Sequence, residues 1–219
     1  MLHLKTKLIP KNILNTINFY FVNLNWKQNE KELIKMRYRF LNSVPVPHNI
    51  KVETIKYYAN RFQIKMFIET GTFLGKMIIA VKDTFKSITS IELSDAIFKR
   101  ALRLFKKYPH ILIKQGDSAT ILPIVLKTVD QPCLFWLDGH YSGGITAKAD
   151  IETPIISEIK TILNHPIKNH VILVDDARLF IGSRDYPTLD QVKQLLSEFS
   201  PDFNFEVKDD IIIIYKKSI

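Results

Sequence analysis

From residue 63 onward, short apolar runs alternate with stretches of helical periodicity, and this alternation constrains the fold more than any other feature. The predicted strands are Ile64–Glu69, Ser87–Glu92, Ile111–Gln115, Cys133–Leu137 and His170–Val174. The predicted helices are Lys76–Phe85, Asp95–Tyr108, Ala119–Thr128, Thr153–Asn164 and Leu189–Phe199. This alternation is typical of right-handed βαβ units, in which helices cover both faces of a parallel sheet.

The last two apolar runs follow a different pattern. Phe203–Lys208 and Ile211–Tyr215 are separated only by Asp209 and Asp210. A connection this short permits an antiparallel hairpin but leaves no room for a crossover helix. We therefore predict an α/β fold with five parallel strands, a C-terminal antiparallel hairpin and helices on both faces.

The beginning of the chain differs in charge and periodicity. Residues 1–62 contain 11 Lys and Arg but only 3 Asp and Glu, whereas residues 63–219 contain 20 and 19. Two stretches before residue 42 have helical spacing of apolar side chains, and Pro45 and Pro47 interrupt it. A further helix is predicted at Lys51–Arg61. We predict a basic helical N-terminal extension at residues 1–48 and one functional domain at residues 49–219.

Composition excludes several classes of protein. A single cysteine rules out a disulfide framework and a zinc ribbon. No apolar run approaches the roughly 20 residues of a membrane span, so we expect no transmembrane segment. The first ten residues lack the apolar region of a signal peptide. We therefore expect a cytoplasmic protein.

Each predicted parallel strand ends in polar residues, and ligands bind outside these carboxyl ends in open α/β sheets. One such end alone is usually a turn or a helix cap. Five of them at one edge of a sheet predict a functional site. The ends are Glu69–Gly75, Glu92, Gly116–Ser118, Asp138–His140 and Asp175–Asp176.

The loop after the first strand is the most informative of the five. Gly71 and Gly75 have the spacing G-x-x-x-G, which lets a ligand approach the backbone near a helix N-terminus. The loop matches neither the dinucleotide fingerprint G-x-G-x-x-G nor the P-loop. Glu92 follows Gly75 by 17 residues, close to the offset of about 20 at which a carboxylate accepts hydrogen bonds from ribose hydroxyls. The spacing therefore predicts a ligand that contains ribose.

These motifs together carry a family resemblance. The loop Glu-Thr-Gly-Thr-Phe-Leu-Gly at 69–75, Glu92, the segment Gly116–Ser118 and the final hairpin resemble class I S-adenosylmethionine-dependent methyltransferases, over about residues 50–217. The resemblance implies a Rossmann-like sheet, a methyltransferase activity and S-adenosylmethionine as the cofactor.

The same resemblance implies roles for individual residues. Glu69 and Gly71 would line the methionine part of the cofactor, and Glu92 would hold its ribose. Asp117, with Ser118, would lie near the adenine. The implied cofactor-binding residues are Glu69, Thr70, Gly71, Thr72, Gly75, Glu92, Asp117 and Ser118.

The ends of the fourth and fifth strands narrow the resemblance. Leu137-Asp138-Gly-His140 and Val174-Asp175-Asp176 resemble the metal-dependent sugar O-methyltransferases of the macrocin type. This implies that Asp138, Asp175 and Asp176 bind a divalent metal. The segment after Asp138 looks closer to a poorly characterised bacterial methyltransferase family, so the acceptor is not inherited from the resemblance.

The physical chemistry of three aspartates agrees with a metal. Converging carboxylates repel one another unless a cation or protons intervene, and all-oxygen ligands suit Mg²⁺ or Mn²⁺. Asp175 and Asp176 are adjacent, so both can bind one ion only if the strand ends before them. In the alternative interpretation, one of them caps a loop and the other pairs with Arg178.

His140 and Asp138 are the catalytic candidates. His140 lies two residues after Asp138 in a glycine-rich loop and titrates near neutrality, which favours a general base. In the alternative interpretation, His140 orients Asp138 or faces solvent. Cys133 and Trp136 fall within a predicted strand, and we expect both to pack in the core.

The leading hypothesis is metal-assisted O-methylation of a hydroxyl on a small molecule or sugar. One alternative is a nucleic-acid methyltransferase, because Lys and Arg in the extension supply affinity for phosphate. Enzymes that methylate amino groups of bases usually have Asn/Asp-Pro-Pro-aromatic after the fourth strand, whereas this chain has Asp-Gly-His-Tyr at 138–141. The other alternative is a non-catalytic scaffold protein that binds S-adenosylmethionine. We favour a homo-oligomer contact or packing on the core for the extension.

Overall fold

The computed structural model describes residues 45–138, 153–183, 185–199 and 201–217. From His48 onward, these residues belong to one compact unit. Nearly all of the predicted extension, with its first two helices, lies outside the described residues. The division into residues 1–48 and 49–219 therefore stays a prediction.

A seven-stranded sheet forms the centre of the unit. Its strands are β1 (Met66–Thr70), β2 (Ser87–Glu92), β3 (Ile111–Gln115), β4 (Cys133–Leu137), β5 (Val171–Val174), β6 (Phe203–Lys208) and β7 (Ile211–Lys216). The spatial order is β3-β2-β1-β4-β5-β7-β6. Strands β1 to β5 pair in parallel, and β7 pairs antiparallel with both β5 and β6. The predicted α/β class, with five parallel strands and a closing hairpin, is confirmed.

Six α-helices and a short 3₁₀ helix lie before and between these strands in the part of the chain that is described. The α-helices are α1 (His48–Arg61), α2 (Lys76–Val81), α3 (Asp95–Phe105), α4 (Ser118–Leu126), α5 (Ile155–Leu163) and α6 (Leu189–Phe199), and the 3₁₀ helix is Ala177–Leu179. Side-chain caps explain two of their beginnings. Ser94 Oγ accepts a hydrogen bond from the Ile97 backbone at 3.5 Å, and Asp117 Oδ1 accepts one from Ala119 at 3.0 Å.

Helices pack against both faces of the sheet and bury them. On the face that we call the front, Phe67 and Trp136 pack with residues of α1, α2 and α3 such as Ile78. On the back face, Ile68 and Phe135 pack with residues of α4, α5 and α6. Successive residues of a strand point to opposite faces. The carboxyl ends of the parallel strands meet at one edge of the sheet. The alternation assigns each residue at the end of a strand to the front or to the back face.

Several predicted ends differ from the structure by a few residues. The helix predicted at Lys76–Phe85 ends at Val81, because a turn begins there and Thr84 N–H bonds to the Val81 carbonyl at 2.8 Å. His170 lies before β5, and its ring nitrogen Nδ1 accepts a hydrogen bond from Cys133 N–H at 3.0 Å. Cys133 and Trp136 are buried in β4, as predicted.

No helix among the described residues is both long enough and apolar enough to cross a membrane.

Candidate active site

The loop after β1 needs glycine at two positions. Gly71 has φ of 90° and Gly75 has φ of 72°, both in the left-handed region. A Cβ atom at Gly75 would lie 2.8 Å from the Phe105 ring. The predicted G-x-x-x-G spacing thus corresponds to a loop that approaches α3 closely and requires left-handed backbone at both glycines.

Glu69 lies beneath this loop with only 2% of its surface exposed. Its Oε2 accepts a hydrogen bond from Ser90 Oγ at 2.6 Å, and Ser90 Oγ also lies 2.6 Å from Thr72 Oγ1. Burial raises the pKa of Glu69 to about 8; the Ser90 hydrogen bond opposes this increase and the nearby Glu92 charge adds to it. The Glu69 carboxyl is therefore mostly protonated at neutral pH.

Glu92 connects the first two loops. Its Oε2 accepts the backbone N–H of Phe73 at 2.9 Å, and its Oε1 accepts that of Ser94 at 2.8 Å. Each carboxylate oxygen can accept a further hydrogen bond. The structure therefore fixes the Glu92 carboxylate at the end of β2 and leaves acceptor capacity for a hydroxyl ligand.

The loop after β3 lies beside the end of β2. Gly116 N–H donates to the Glu92 carbonyl at 2.9 Å, and Gly116 has φ of 135°. A Cβ atom at Gly116 would lie 2.7 Å from Ile121. Asp117 caps α4, and the neighbouring Ser118 is buried. The predicted adenine-side residues therefore lie at the same edge as Glu92.

Glu158 of α5 is a buried acid that sequence reasoning missed. It is only 1% exposed and lies on the back face beside Thr70 and Ser118. Burial raises its pKa to about 7, and the hydroxyls of Ser118 and Thr70 partly offset this increase. The sequence does contain an indication that Glu158 is buried, because it lies between Ile155 and Ile162 on the apolar side of a predicted helix.

Three aspartates converge at the ends of β4 and β5. Asp138, Asp175 and Asp176 each offer a carboxylate oxygen, and these oxygens lie within 4.8 Å of one another. Strand β5 ends at Val174, and Asp176 adopts a left-handed conformation with φ of 57°. This turn brings the adjacent carboxylates of Asp175 and Asp176 together, which a continuing strand would prevent.

Among the described residues, two cationic side chains contact this acidic cluster. Lys51 of α1 forms an ion pair with Asp175, and its Nζ lies 3.9 Å from Asp176 Oδ1. Arg178 donates to Asp176 Oδ1 at 2.7 Å and also pairs with Asp210 in the β6–β7 turn. The pairing of Arg178 with an aspartate was one predicted alternative. Here Asp176 both pairs with Arg178 and belongs to the cluster.

Crowding of negative charge alters protonation in the cluster. Burial and the neighbouring Asp175 raise the pKa of Asp138 well above its ordinary value, although Lys51 opposes the shift. Burial and Asp176 raise the pKa of Asp175 to about 6, again against Lys51. Simultaneous ionisation of all three aspartates is therefore unfavourable, which favours a bound cation or proton in the cluster.

Tyr186 is a second residue at this edge that the sequence did not reveal. It packs against Phe180 with ring centroids 5.4 Å apart. Burial raises the pKa of its hydroxyl, and the charges of Asp176 and Asp138 add to the increase. The predicted catalytic residue His140 lies outside the described residues, so only Asp138 of the two catalytic candidates has a described position.

Comparison with known proteins gives structural matches only. No family model matches the chain, and no curated protein matches it. One match is the O-methyltransferase TomG from Streptomyces achromogenes, which is involved in tomaymycin synthesis and was solved with S-adenosylmethionine. It has a TM-score of 0.59 and 14% sequence identity to this chain. The alignment covers 96% of this chain and 100% of that chain.

Two further structures show the same fold. An O-methyltransferase from Bacillus cereus, solved with S-adenosylhomocysteine, has a TM-score of 0.59 and 11% sequence identity. The alignment covers 93% of this chain and 96% of that chain. The 23S rRNA methyltransferase ErmE has a TM-score of 0.50 and 14% identity, with 76% of this chain and 68% of its own covered. The chain therefore has the fold of S-adenosylmethionine-dependent methyltransferases, as its motifs predict.

Proposed function

We propose that this chain is an S-adenosylmethionine-dependent methyltransferase that methylates a hydroxyl of a small molecule or sugar with the help of a divalent metal. The observation that carries the proposal is the position of the acidic cluster Asp138, Asp175 and Asp176. The cluster lies beside the β1 loop, since Asp138 N–H bonds to the Thr70 carbonyl at 3.1 Å. A methyl donor in that loop would therefore adjoin a site for an activated oxygen.

For the cofactor, we propose that Glu92 accepts hydrogen bonds from the ribose. Its carboxylate is held by two backbone N–H groups and keeps free lone pairs. Glu69 and Thr72 would shape the methionine side through their shared contact with Ser90. Asp117 and Ser118 would bound the adenine.

For the metal, the donor set fits Mg²⁺ or Mn²⁺. All three donors are carboxylates, and their oxygens are close enough to share one ion. Asp138, Asp175 and Asp176 would hold it. When bound, such an ion makes a nearby hydroxyl more acidic and orients it for transfer.

The chain's own residues would handle the proton and exclude water. Asp138 is half-buried in the cluster where the hydroxyl would bind, so it is one candidate to receive the hydroxyl proton. His140 stays the other candidate, by sequence alone. Tyr186 and Phe180 would form an apolar wall next to the acceptor, because their rings pack together at this edge.

A nucleic-acid methyltransferase is the second candidate. The basic composition of residues 1–62 favours it, and phosphate contacts would make its RNA binding strongly dependent on salt. If the protein methylates RNA, and if this activity falls steeply as the salt concentration rises, the acceptor is nucleic acid and not a small hydroxyl compound.

The test is methyl transfer from S-adenosylmethionine with a labelled methyl group to a panel of sugars, phenols, amines and RNA, with Mg²⁺ or with a chelator. We expect label on a hydroxyl acceptor, only with Mg²⁺. Asp175→Asn should lower the rate by more than about tenfold, because even outer-shell partners of metal ligands contribute 10- to 100-fold. The exposed Asp190→Asn on α6 is the matched control. Label on amines or RNA alone would contradict the proposal.

A further inference from the structure

We propose that the Lys51 ammonium is the resident cation of the acidic cluster, and that a divalent ion must displace it from Asp175 to bind. Lys51 thereby sets the metal affinity of the site. The proposal rests on the metal part of the proposed function, and it concerns a residue that lies 87 positions before Asp138.

The position of Lys51 is well defined by its surroundings. Its side chain is 15% exposed. Lys51 is the fourth residue of α1, and its ammonium reaches Asp175 at the end of β5. The ammonium forms an ion pair with Asp175 and lies 5.9 Å from the centroid of the Trp136 ring. The sheet alternation explains the meeting, because Trp136 and Leu173 face the front, the face that α1 covers.

Each oxygen of Asp175 already has one donor, and the donor at Oδ2 is itself a cation, which opposes a metal ion at the same oxygen. Oδ2 pairs with Lys51, and Oδ1 accepts the backbone N–H of Asp176 at 2.9 Å. A divalent ion needs carboxylate oxygens in direct contact. Oδ2 is the easier one to release, since a lysine side chain is flexible and can move away without unfolding the backbone turn.

Arg178, the second cation at the cluster in the part of the chain that is described, is held more firmly. Arg178 bonds to Asp176 and to Asp210 at the same time, and the Asp210 carboxylate also accepts the Arg178 backbone N–H at 2.7 Å. Lys51, by contrast, contacts the cluster through its own ammonium at the end of a flexible side chain, between Asp175 and Asp176. It is therefore the cation that an incoming metal ion would meet and displace.

A purely structural ion pair would behave differently. If Lys51 only attached α1 to the sheet, its removal would lower stability with or without metal, and metal affinity would stay the same or fall. If Lys51 competes with the metal, its removal lowers the stability of the metal-free protein, and metal restores it.

The experiment is calorimetric titration of Mn²⁺ into the full chain as wild type, Lys51→Met and Lys56→Met. Lys56 is on the same helix but on another side, so its variant removes the same charge away from the cluster. We expect Lys51→Met to bind Mn²⁺ at least about tenfold more tightly, because a unit charge in contact with the site is removed. Lys56→Met should match the wild type. The melting temperature of Lys51→Met should be lower without metal and rise more with Mn²⁺ than that of the wild type.

Unchanged or weaker Mn²⁺ binding by Lys51→Met would overturn the inference. Failure of all three proteins to bind Mn²⁺ would overturn it together with the metal part of the proposed function. Titration of S-adenosylhomocysteine into the same proteins separates these results from the failure of the methyltransferase proposal, since that ligand does not need the metal to occupy the β1 loop.

Discussion

The Glu69 carboxyl is buried under the β1 loop, and its protonation state links stability to pH. Its pKa of about 8 in the folded chain lies above the ordinary value of 4.5. Between these values the folded state binds more protons than the unfolded state, so this residue's contribution to stability falls as the pH rises.

Glu69→Gln should therefore reduce the pH dependence of stability. Glutamine keeps the shape and hydrogen-bonding ability of the neutral acid but cannot ionise. We expect the free energy of unfolding of the wild type to fall relative to Glu69→Gln as the pH rises from 4.5 to 8. Urea denaturation at several pH values measures this difference. A difference between the two proteins that is constant with pH would show that Glu69 ionises normally.

Residues near the cluster differ in how far the sequence could reveal them. Asp138, Asp175 and Asp176 follow apolar strands, so the strand pattern alone located them. Lys51 reaches the cluster from α1, and Asp210 supports it from the β6–β7 turn through its pair with Arg178. Nothing in their local sequence indicates such a contact, because it depends on tertiary packing.

At the scale of elements, the β1 loop depends on its glycines. Gly75→Ala would place a Cβ atom 2.8 Å from Phe105 in a left-handed backbone conformation. We expect a loss of about 1–3 kcal/mol in the free energy of unfolding, together with weaker binding of S-adenosylhomocysteine. Thermal melting and calorimetry measure the two effects.

Gly182→Ala is the control for that prediction. Gly182 has a similar φ of 78°, but it lies beyond the acidic pair, where a Cβ atom would approach Thr188. This variant should also lose stability and should keep its affinity for S-adenosylhomocysteine. Equal loss of affinity in both variants would mean that the β1 loop has no special part in cofactor binding.

The β6–β7 turn supports the acidic pair. The Asp210 carbonyl accepts the Ala177 N–H at 2.8 Å, and its carboxylate binds Arg178. Asp210→Asn should cost about 1–3 kcal/mol, since a half-buried arginine loses one of its two charged partners. Asp209→Asn in the same turn should change stability by less than about 0.5 kcal/mol. Urea denaturation of both variants tests this, and equal effects would contradict the supporting role of Asp210.

Element type was predictable, but element ends were less so. Apolar runs bounded by polar residues predicted all seven strands, and the two-residue gap at Asp209 and Asp210 predicted the hairpin. The ends of helices depend on local turns, such as the one after Val81, that periodicity does not encode. Helix α1 begins at His48, directly after Pro47, rather than at Lys51.

At the scale of the whole molecule, the site follows from topology. Five parallel strands place five polar loops at one edge, and alternation along β1 directs Glu69 to the front and Thr70 to the back. The sequence could therefore predict the edge and most of its acids. It could not predict the acceptor, because acceptor recognition depends on how distant segments pack around that edge.

Every role proposed above depends on binding of S-adenosylmethionine at this edge of the sheet. Calorimetric titration of S-adenosylhomocysteine into the full chain, with and without Mg²⁺, is the decisive measurement. We expect one binding site in the wild type and a large loss of affinity in Glu92→Ala, with the exposed Glu198→Ala on α6 as the control. The absence of binding to the wild type, or equal binding by Glu92→Ala, would contradict cofactor binding at this edge.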